Sequence, residues 1–307
     1  RVGEPSVEAC RAILGGIAPR YEDHHGLAIG ADALDAAIEL TARFLSDGHL
    51  PDKAIGALDL AATLVIFGFS LGLRNASTYD AYWSVAPIAL TAFWFVPAAS
   101  TANPVRLAIV AALVVWWGWR LTYNWARGWT GFGHEDWRYV DLRQKTGLAW
   151  PLVNLLGIHL FPTVQVFLGL LPVHAVATSA APLGVLDGVA AAVTAGAILL
   201  EQTADRQLHE FRLRKARGDA SGTLNTGVWA WSRHPNYLGE MGFWWGLWLF
   251  AVGIGAEGWR IAGAAAITLM FVFVSVPMIE ARHRARRPDY DAEAAPGVLF
   301  PRPPRGR

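Results

Sequence analysis

A short polar run stands where a long apolar, tryptophan-rich stretch of the sequence begins. Residues 231–240 read Trp-Ser-Arg-His-Pro-Asn-Tyr-Leu-Gly-Glu. Polar and ionisable groups at the mouth of a membrane helix cost free energy, so they usually serve a function. Such side chains can bind polar ligands and transfer protons. We therefore expect a functional site in this run, which contains Arg233, His234 and Tyr237.

The spacing of the polar residues suits the start of a helix. Pro235 disfavours a helical conformation for His234 and is compatible with the first turn of the helix that follows. Asn236 and Glu240 are one helical turn apart, and Trp244 continues the same stripe. We expect these three side chains to project together into the protein. A surface patch that meets lipid headgroups needs no buried Asn-Glu pair.

A basic cluster precedes this run. Glu201, Asp205, Leu208 and Arg212 recur at helical spacing, and the cluster ends at Lys215. Its cations could bind anionic headgroups, at about 1 kcal/mol per charge. They could equally hold the phosphates of a dinucleotide, to which arginine offers two parallel donors. The cluster alone does not separate these two uses.

Arg120 is the only cation well inside a predicted apolar span, where insertion costs about 2.5 to 3.5 kcal/mol. It therefore needs a partner, either a carboxylate such as Asp80 or an anionic ligand. Asn124 lies one turn later on the same segment. The acidic and basic residues of the loop at residues 134–143 are explained as well by surface pairing as by ligand binding.

Another polar group, Asn75-Ala-Ser-Thr-Tyr-Asp-Ala-Tyr-Trp83, lies between the first two apolar stretches. A carboxylate that enters a span needs a partner, which makes Asp80 a functional candidate. Asp80 could equally cap the helix while the aromatic residues form an interfacial belt. We expect no metal site, because His134 and Glu135 lack the helical spacing of zinc ligands and the adjacent His24 and His25 share no helix face.

The elements that must position these groups are membrane helices. The chain of 307 residues is 53% hydrophobic, contains 15 Trp and is 17% charged, against roughly 25% charged in soluble domains. A single cysteine excludes a disulfide framework, and a net charge of +1 gives no case for nucleic-acid binding. Seven stretches approach the length of a span. They run near Leu58 to Leu73, Tyr82 to Ala99, Val105 to Tyr123, Trp150 to Leu171, Pro182 to Leu200, Leu238 to Ile254 and Trp259 to Ile279.

The basic residues predict the orientation of these spans. Most arginines and lysines lie in the connections after spans one, three and five and in the C-terminal segment. The opposite side has only Arg106 and Arg260 in its connections and five basic residues in the N-terminal segment. The positive-inside rule makes the basic side cytoplasmic. We expect a multi-pass protein of the bacterial inner membrane, with its C-terminus and the site on the cytoplasmic side.

Residues 1–55 form a different kind of segment, polar and helical in pattern. The strings Arg20-Tyr-Glu-Asp-His-His-Gly26 and Phe44-Leu-Ser-Asp-Gly-His-Leu-Pro-Asp-Lys-Ala-Ile55 closely resemble the small helical subdomain of Clp-type AAA+ unfoldases. The phosphate-binding loop of that family is absent from the sequence, so we expect no ATPase function. A gene fusion, a gene-calling error or a fragment would account for the segment. Residues 56–307 are then the membrane domain.

Five strings carry a second resemblance: Asn75-x-Ser-x-x-Asp80-x-x-Trp83, Asp136-Trp-Arg-Tyr139, Glu201-x-x-x-Asp205, Ser232-Arg-His-Pro-Asn-Tyr-x-Gly-Glu240 and the closing segment Glu280 to Phe300 with its Pro288-Asp-Tyr290. Over residues 58–301 the chain resembles the membrane steroid 5-alpha-reductase superfamily, particularly its bacterial branch of reductase-like proteins of uncharacterised function. The resemblance implies an all-α, seven-helix membrane bundle that holds NADPH in a cytoplasm-facing chamber. A lipid or steroid-like substrate would enter from the bilayer, and no obligate protein partner is evident.

With this resemblance, the expected cofactor-binding residues are Arg120, Asn124, Asp205, Arg212, Lys215, Arg233, His234, Asn236, Tyr237, Glu240, Trp244, Arg282 and His283. Asp205 and Arg212 would hold adenosine or phosphate groups. Asn236, Glu240 and Trp244 would lie near the nicotinamide, and Arg282 and His283 would contact the cofactor from the last span.

The family chemistry is reduction of an enone, in which hydride adds to the β carbon while an acid polarises the carbonyl oxygen. In the steroid 5-alpha-reductases this polarising role is linked to a Gln-Glu pair on the second span. This chain has no Gln-Glu pair in that span. Asp80, with Tyr79 or Tyr82, occupies the comparable region. These three residues and Glu240 are the catalytic candidates of a 3-oxo-5-alpha-steroid 4-dehydrogenase-like oxidoreductase.

Two other functions remain open at the level of sequence. One is an S-adenosylmethionine-dependent lipid methyltransferase similar to the isoprenylcysteine enzymes, which share the motif around Asn236. The other is a non-catalytic lipid-binding membrane protein. Asp205 and the basic run through Lys215 favour a phosphorylated dinucleotide over S-adenosylmethionine, which has no phosphates.

Overall fold

A computed structural model describes residues 7–25, 28–44 and 52–303. Within these ranges the chain is helical and contains no β-strand, which confirms the all-α class. The α-helices, in chain order, are α1 (Val7–His25), α2 (Ala31–Phe44), α3 (Asp52–Gly72), α4 (Tyr79–Ala98), α5 (Pro104–Gly128), α6 (Trp137–Thr146), α7 (Trp150–Val153), α8 (Phe161–Ala177), α9 (Val185–Ala216), α10 (Pro235–Gly253), α11 (Ala262–Met270), α12 (Val276–Arg286) and α13 (Tyr290–Glu293). Residues 1–6, 26–27 and 45–51 of the N-terminal segment, and the side chains of His24 and His25, lie outside the described part.

The chain divides into two compact units. Unit 1 comprises Arg1–Asp80 and Thr130–Thr163, and unit 2 comprises Ala81–Trp129 and Val164–Arg307. Short 3₁₀ turns and two π-helical segments, Asn154–Leu160 in unit 1 and Phe271–Ser275 in unit 2, join several of the helices.

Five helical stretches of the described residues are long and apolar enough to cross a membrane, by length and composition. They are Ala76–Ala98, Pro104–Gly128, Trp137–Ala177, Val185–Ala216 and Gly258–Arg286. These stretches are compatible with a multi-pass integral membrane protein and overlap five of the seven predicted spans. The other two predicted spans coincide with α3 and α10, which do not belong to this set, so the count of seven is not confirmed.

A buried ion pair joins the first turns of α5 and α9 in unit 2. Arg106 is 0% exposed, and its Nε and Nη2 donate to the two carboxylate oxygens of Asp187 at 2.6 and 2.9 Å. Its remaining donors reach the backbone carbonyls of Ala181 and Pro182. Because every polar group in this cluster has a partner, the buried charges can be accommodated.

Close packing of α9 and α10 brings together the elements that carry most of the predicted site. A Cβ atom on Gly239 would lie 2.7 Å from Glu201 Cβ and 2.8 Å from the carbonyl oxygen of Ala197. One on Gly246, two turns later, would lie 3.0 Å from Thr194 Cα. Small residues at these positions let the two backbones approach each other, as is common for helices in membranes.

We predict that Gly239→Ala destabilises the protein, because the added methyl group would overlap backbone atoms that cannot rotate away. Overpacking of this kind costs about 1 to 3 kcal/mol. The measurement is thermal unfolding of the detergent-purified protein. Gly196→Ala on α9 is the control, since its Cβ meets no atom of the described residues within 4 Å. Equal unfolding temperatures for the two variants would contradict the close packing.

Candidate functional site

A cavity of about 440 Å³ lies in unit 2, lined by the last turns of α9, the start of α10, α12 and α13. Pro235 is the first residue of α10, and His234 precedes it with φ of −139°, as the proline predicted. The polar run is thus placed at the mouth of a helix and beside this cavity. Eight of the predicted cofactor-binding residues line it: Arg212, Lys215, Arg233, His234, Asn236, Tyr237, Arg282 and His283.

The lining of the cavity is strongly cationic. Its arginine and lysine side chains are Arg212, Lys215, Arg233, Arg282, Arg286 and Arg287, and no aspartate or glutamate is among the described residues that line it. Within the described ranges, Arg212 and Arg286 form no ion pair with a carboxylate. Such a lining suits an anionic ligand, for which arginine supplies charge and directed donors.

Arg120, Asn124 and Asp205 do not line this cavity. Arg120 Nη1 lies 2.8 Å from Asp205 Oδ2, and its Nη2 lies 2.6 Å from Glu201 Oε1. Asn124 Nδ2 donates to the same Asp205 oxygen at 3.2 Å. Arg120 therefore has the carboxylate partner that its burial demanded, and the carboxylates are Asp205 and Glu201. In the sequence, Glu201 belonged to a helical pattern and to one of the resemblance strings, but it had no predicted role.

Glu240 and Trp244 are also directed into the interior of unit 2. Glu240 is 4% exposed; its Oε1 accepts from Trp244 Nε1 at 2.8 Å and its Oε2 accepts from Trp117 Nε1 at 2.9 Å. Asn236, by contrast, lines the cavity. The expected stripe is therefore divided, because Asn236 belongs to the cavity wall whereas Glu240 and Trp244 are buried against Trp117. Trp117 could have been anticipated, because it lies one turn before Arg120 on α5.

Glu280 is the residue of this region that the sequence analysis missed. It is 3% exposed, and its Oε1 accepts from Tyr290 Oη at 2.6 Å and from His234 Nε2 at 2.9 Å. Its Oε2 accepts from Arg233 Nη1 at 2.8 Å and Arg284 Nη2 at 3.1 Å. In the sequence, Glu280 is the only carboxylate beside the basic run of α12, and this isolation could have marked it as a partner for cations. Glu280 holds three cavity-lining residues in place, Arg233, His234 and Tyr290.

The same network fixes the charges of the loop beyond the last span. Hydrogen bonds from Arg284 and then Arg233 lower the pKa of Asp291 to about 2. Burial, together with the hydrogen bond to Glu280, raises the pKa of Tyr290. Both groups therefore keep one protonation state around neutral pH, with Asp291 ionised and Tyr290 neutral.

The polar run also anchors the C-terminal segment. Arg233 donates its backbone N–H to the carbonyl of Gly297 at 2.8 Å and its Nε to the carbonyl of Ala295 at 2.8 Å. Ser232 Oγ donates to the carbonyl of Leu299 at 2.7 Å. The motif that lines the cavity thus also holds the chain segment that closes one of its sides.

Two of the four catalytic candidates belong to unit 1. Asp80 Oδ1 accepts from Tyr139 Oη at 2.6 Å, so the strings around Asn75 and Asp136 come together within this unit. Asn75 supports the same arrangement by donating to the carbonyls of Phe132 and His134. The Tyr79 hydroxyl lies 2.8 Å from Thr163 Oγ1.

The other two candidates, Tyr82 and Glu240, belong to unit 2 and are buried. Tyr139 was a motif residue without a predicted role, and the structure makes it the donor to Asp80. Thr163 Oγ1 donates to the carbonyl of His159 at 2.9 Å. Since a hydroxyl carries one proton, Tyr79 is then the donor in its contact with Thr163.

Comparisons with known proteins match the two parts of the chain to different families. The sequence model of a family described as a protein of unknown function (DUF1295) matches residues 66–295. Uncharacterized protein C594.04c of Schizosaccharomyces pombe is 30% identical over 207 residues, which are 61% of this chain and 60% of that protein. No solved structure matches the chain.

The N-terminal part matches the AAA lid domain over residues 6–71. The chaperone protein ClpB of Rhodopirellula baltica is 55% identical over 62 residues, and the negative regulator of genetic competence ClpC/MecB of Bacillus subtilis is 46% identical over 65 residues. These matches cover 20% and 21% of this chain but only 7% and 8% of the two Clp proteins. They confirm the Clp-like resemblance and extend it into α3.

We predict that Glu280→Gln destabilises the protein by about 3 kcal/mol, because removal of one partner from a buried ionic network leaves the others uncompensated. Thermal unfolding in detergent measures the change. Asp291→Asn is the matched control, since Asp291 shares Arg233 and Arg284 with Glu280 but its side chain is 54% exposed, and it should change stability little. Comparable losses in both variants would show that Glu280 is not the centre of the network.

Proposed function

Because the chain belongs to the DUF1295 family of steroid 5-alpha-reductase-like membrane proteins, we propose that it is an NADPH-dependent reductase of a conjugated double bond in a lipid. The chain spans only about 60% of the fission-yeast relative, which is itself uncharacterised. The proposal therefore depends on the chemistry of the site and on the family resemblance.

The observation that carries the proposal is the cationic cavity beside the polar run. NADPH has a pyrophosphate and a 2′-phosphate, and arginine side chains are the usual partners of that phosphate. Arg212 and Lys215 on α9 and Arg286 on α12 offer such donors without a carboxylate in the lining. The residues present fit the anionic half of the cofactor.

The bound cofactor would supply a hydride to the β carbon of an enone. By the resemblance, Asn236 and Tyr237 would position the nicotinamide half. Glu280 would hold Arg233 and His234 in the cavity wall through the contacts described above. Arg120, Asn124, Asp205, Glu240 and Trp244 would support this wall from inside the helix packing.

The carbonyl-polarising group is proposed to come from the Asp80 region. A protonated Asp80, or a Tyr79 hydroxyl released from Thr163, could donate a hydrogen bond to the substrate oxygen and stabilise the developing enolate. Tyr139 donates to Asp80 and would orient its carboxyl group. Tyr82 is the third candidate for this role.

The membrane arrangement completes the proposal. Seven spans, with α3 and α10 added to the five long apolar stretches, would place the C-terminus and cofactor cavity in the cytoplasm of a bacterial cell. An apolar substrate would enter from the inner membrane. Residues 1–55, which resemble a Clp lid without the phosphate-binding loop, are proposed to have no ATPase function.

The cofactor proposal predicts that NADPH stabilises the detergent-purified protein. Ligand binding to the native state stabilises it by mass action and so raises the unfolding temperature. At a ligand concentration of 100 Kd the free energy of unfolding rises by about 2.7 kcal/mol. We expect NADPH to act more strongly than NADH, which lacks the 2′-phosphate. Stabilisation by S-adenosylmethionine alone would indicate the methyltransferase. An unfolding temperature unchanged by NADPH, NADH and S-adenosylmethionine would contradict both enzyme functions and favour the lipid-binding protein.

A second prediction concerns the cavity cations. Arg212→Gln should weaken NADPH binding by about tenfold or more, because a charge-assisted hydrogen bond contributes about 1.5 to 3 kcal/mol. Titration with NADPH followed by thermal unfolding measures the affinity. Arg206→Gln is the control on the same helix, since that side chain is 67% exposed and lies outside the cavity lining. Equal affinities for the two variants would contradict a phosphate site at Arg212.

A further inference from the structure

A buried cluster of ionisable side chains in unit 2 contains more carboxyl groups than cations. Glu201 and Glu240 are each 4% exposed, and Arg120 is 7% exposed. Both glutamates contact neighbouring side chains of α5, since Arg120 Nη2 lies 2.6 Å from Glu201 Oε1 and Trp117 Nε1, one turn earlier on that helix, donates to Glu240 Oε2 at 2.9 Å. Their helices approach closely here, since a Cβ atom on Gly239 would lie 2.7 Å from Glu201 Cβ. Three helices supply the charged groups, which are Arg120 from α5, Glu201 and Asp205 from α9, and Glu240 from α10.

The cations near the cluster do not balance three ionised carboxylates. Arg120 contacts both Glu201 and Asp205. Asp205 also lies in the field of Arg127 and Arg212, which are exposed at the end of the cluster. Glu201 and Glu240 therefore share the single charge of Arg120. Two adjacent carboxylates in a site of low dielectric constant cannot both be ionised at a tolerable cost.

The hydrogen bonds point to the same imbalance. Both oxygens of Glu240 accept an indole N–H group, from Trp117 and Trp244. Glu201 Oε1 lies 2.6 Å from Arg120 Nη2, a distance suited to an ion pair although the angles are not those of a hydrogen bond. Glu201 Oε2 receives no donor from the described residues. An ionised carboxylate can only accept, so two carboxyl groups can bond to each other only through a proton.

We propose that Glu201 and Glu240 form a carboxyl–carboxylate pair that binds one proton between α9 and α10. The bound proton removes the repulsion between the glutamates and leaves one negative charge for Arg120. The proton belongs to the pair rather than to either residue. Glu240 thereby acts as a positioning residue, because its fixed place inside unit 2 sets the rotation of α10 that puts Asn236 on the cavity wall. This inference is independent of the cofactor and of the reaction.

The test is infrared spectroscopy of the detergent-purified protein at neutral pH, with glutamate labelled with carbon-13 to identify its bands. The wild type should show the C=O stretching band of a protonated glutamate. Glu201→Gln and Glu240→Gln should each abolish that band completely, because either change leaves a single carboxylate with donors around it. Asp205→Asn, which alters a carboxylate of the same cluster, should retain it.

Two outcomes would overturn the shared proton. Absence of the band in the wild type would show that both glutamates are ionised, and this result needs no variant to fold. Loss of the band in only one glutamine variant would show that a single glutamate is protonated by burial, independently of its neighbour. The NADPH titration has a separate readout, so failure of one proposal leaves the other standing.

Discussion

The close approach of α9 and α10 is the constraint on which the rest of unit 2 depends. Glycine at positions 239 and 246 leaves room for the α9 backbone, and Glu201 of α9 and Glu240 of α10 are both buried in this packing. Arg120 on α5 contacts both Glu201 and Asp205 of α9. The same packing sets the rotation of α10, which determines that Asn236 meets the cavity while Glu240 does not.

A division of labour follows within the polar run. Arg233 and His234 line the cavity, and Glu280 on α12 holds both side chains through hydrogen bonds. Their donors are therefore partly occupied before any ligand arrives. Arg212 and Arg286 make no ion pair with a carboxylate within the described ranges, so their guanidinium groups can bind an anion. The cavity lining therefore combines side chains that are already held in place, Arg233 and His234, with cations that have no carboxylate partner, Arg212 and Arg286.

The sequence was informative where a property depends on local spacing. Apolar length predicted five of the long spans, and Pro235 predicted the boundary of α10. The need of Arg120 for a partner, either a carboxylate such as Asp80 or an anionic ligand, followed from desolvation alone. The partners are Glu201 and Asp205. Their identity did not follow from desolvation, because contacts between distant segments depend on helix rotation. Glu280 was missed for the same reason, since it meets its partner 46 residues away in the chain only after folding.

The two family matches overlap at residues 66–71, inside α3. α3 has 21 residues, but Asp59 interrupts its apolar sequence, and the uncharged run from Leu60 to the end of the helix at Gly72 is about 20 Å long at 1.5 Å per residue. A bilayer core is about 30 Å thick. If α3 crosses the membrane, it does so with a hydrophobic mismatch, and the lipid beside it must thin or admit polar backbone at that edge. The bilayer would then be deformed locally beside a helix that matches a chaperone lid domain up to residue 71.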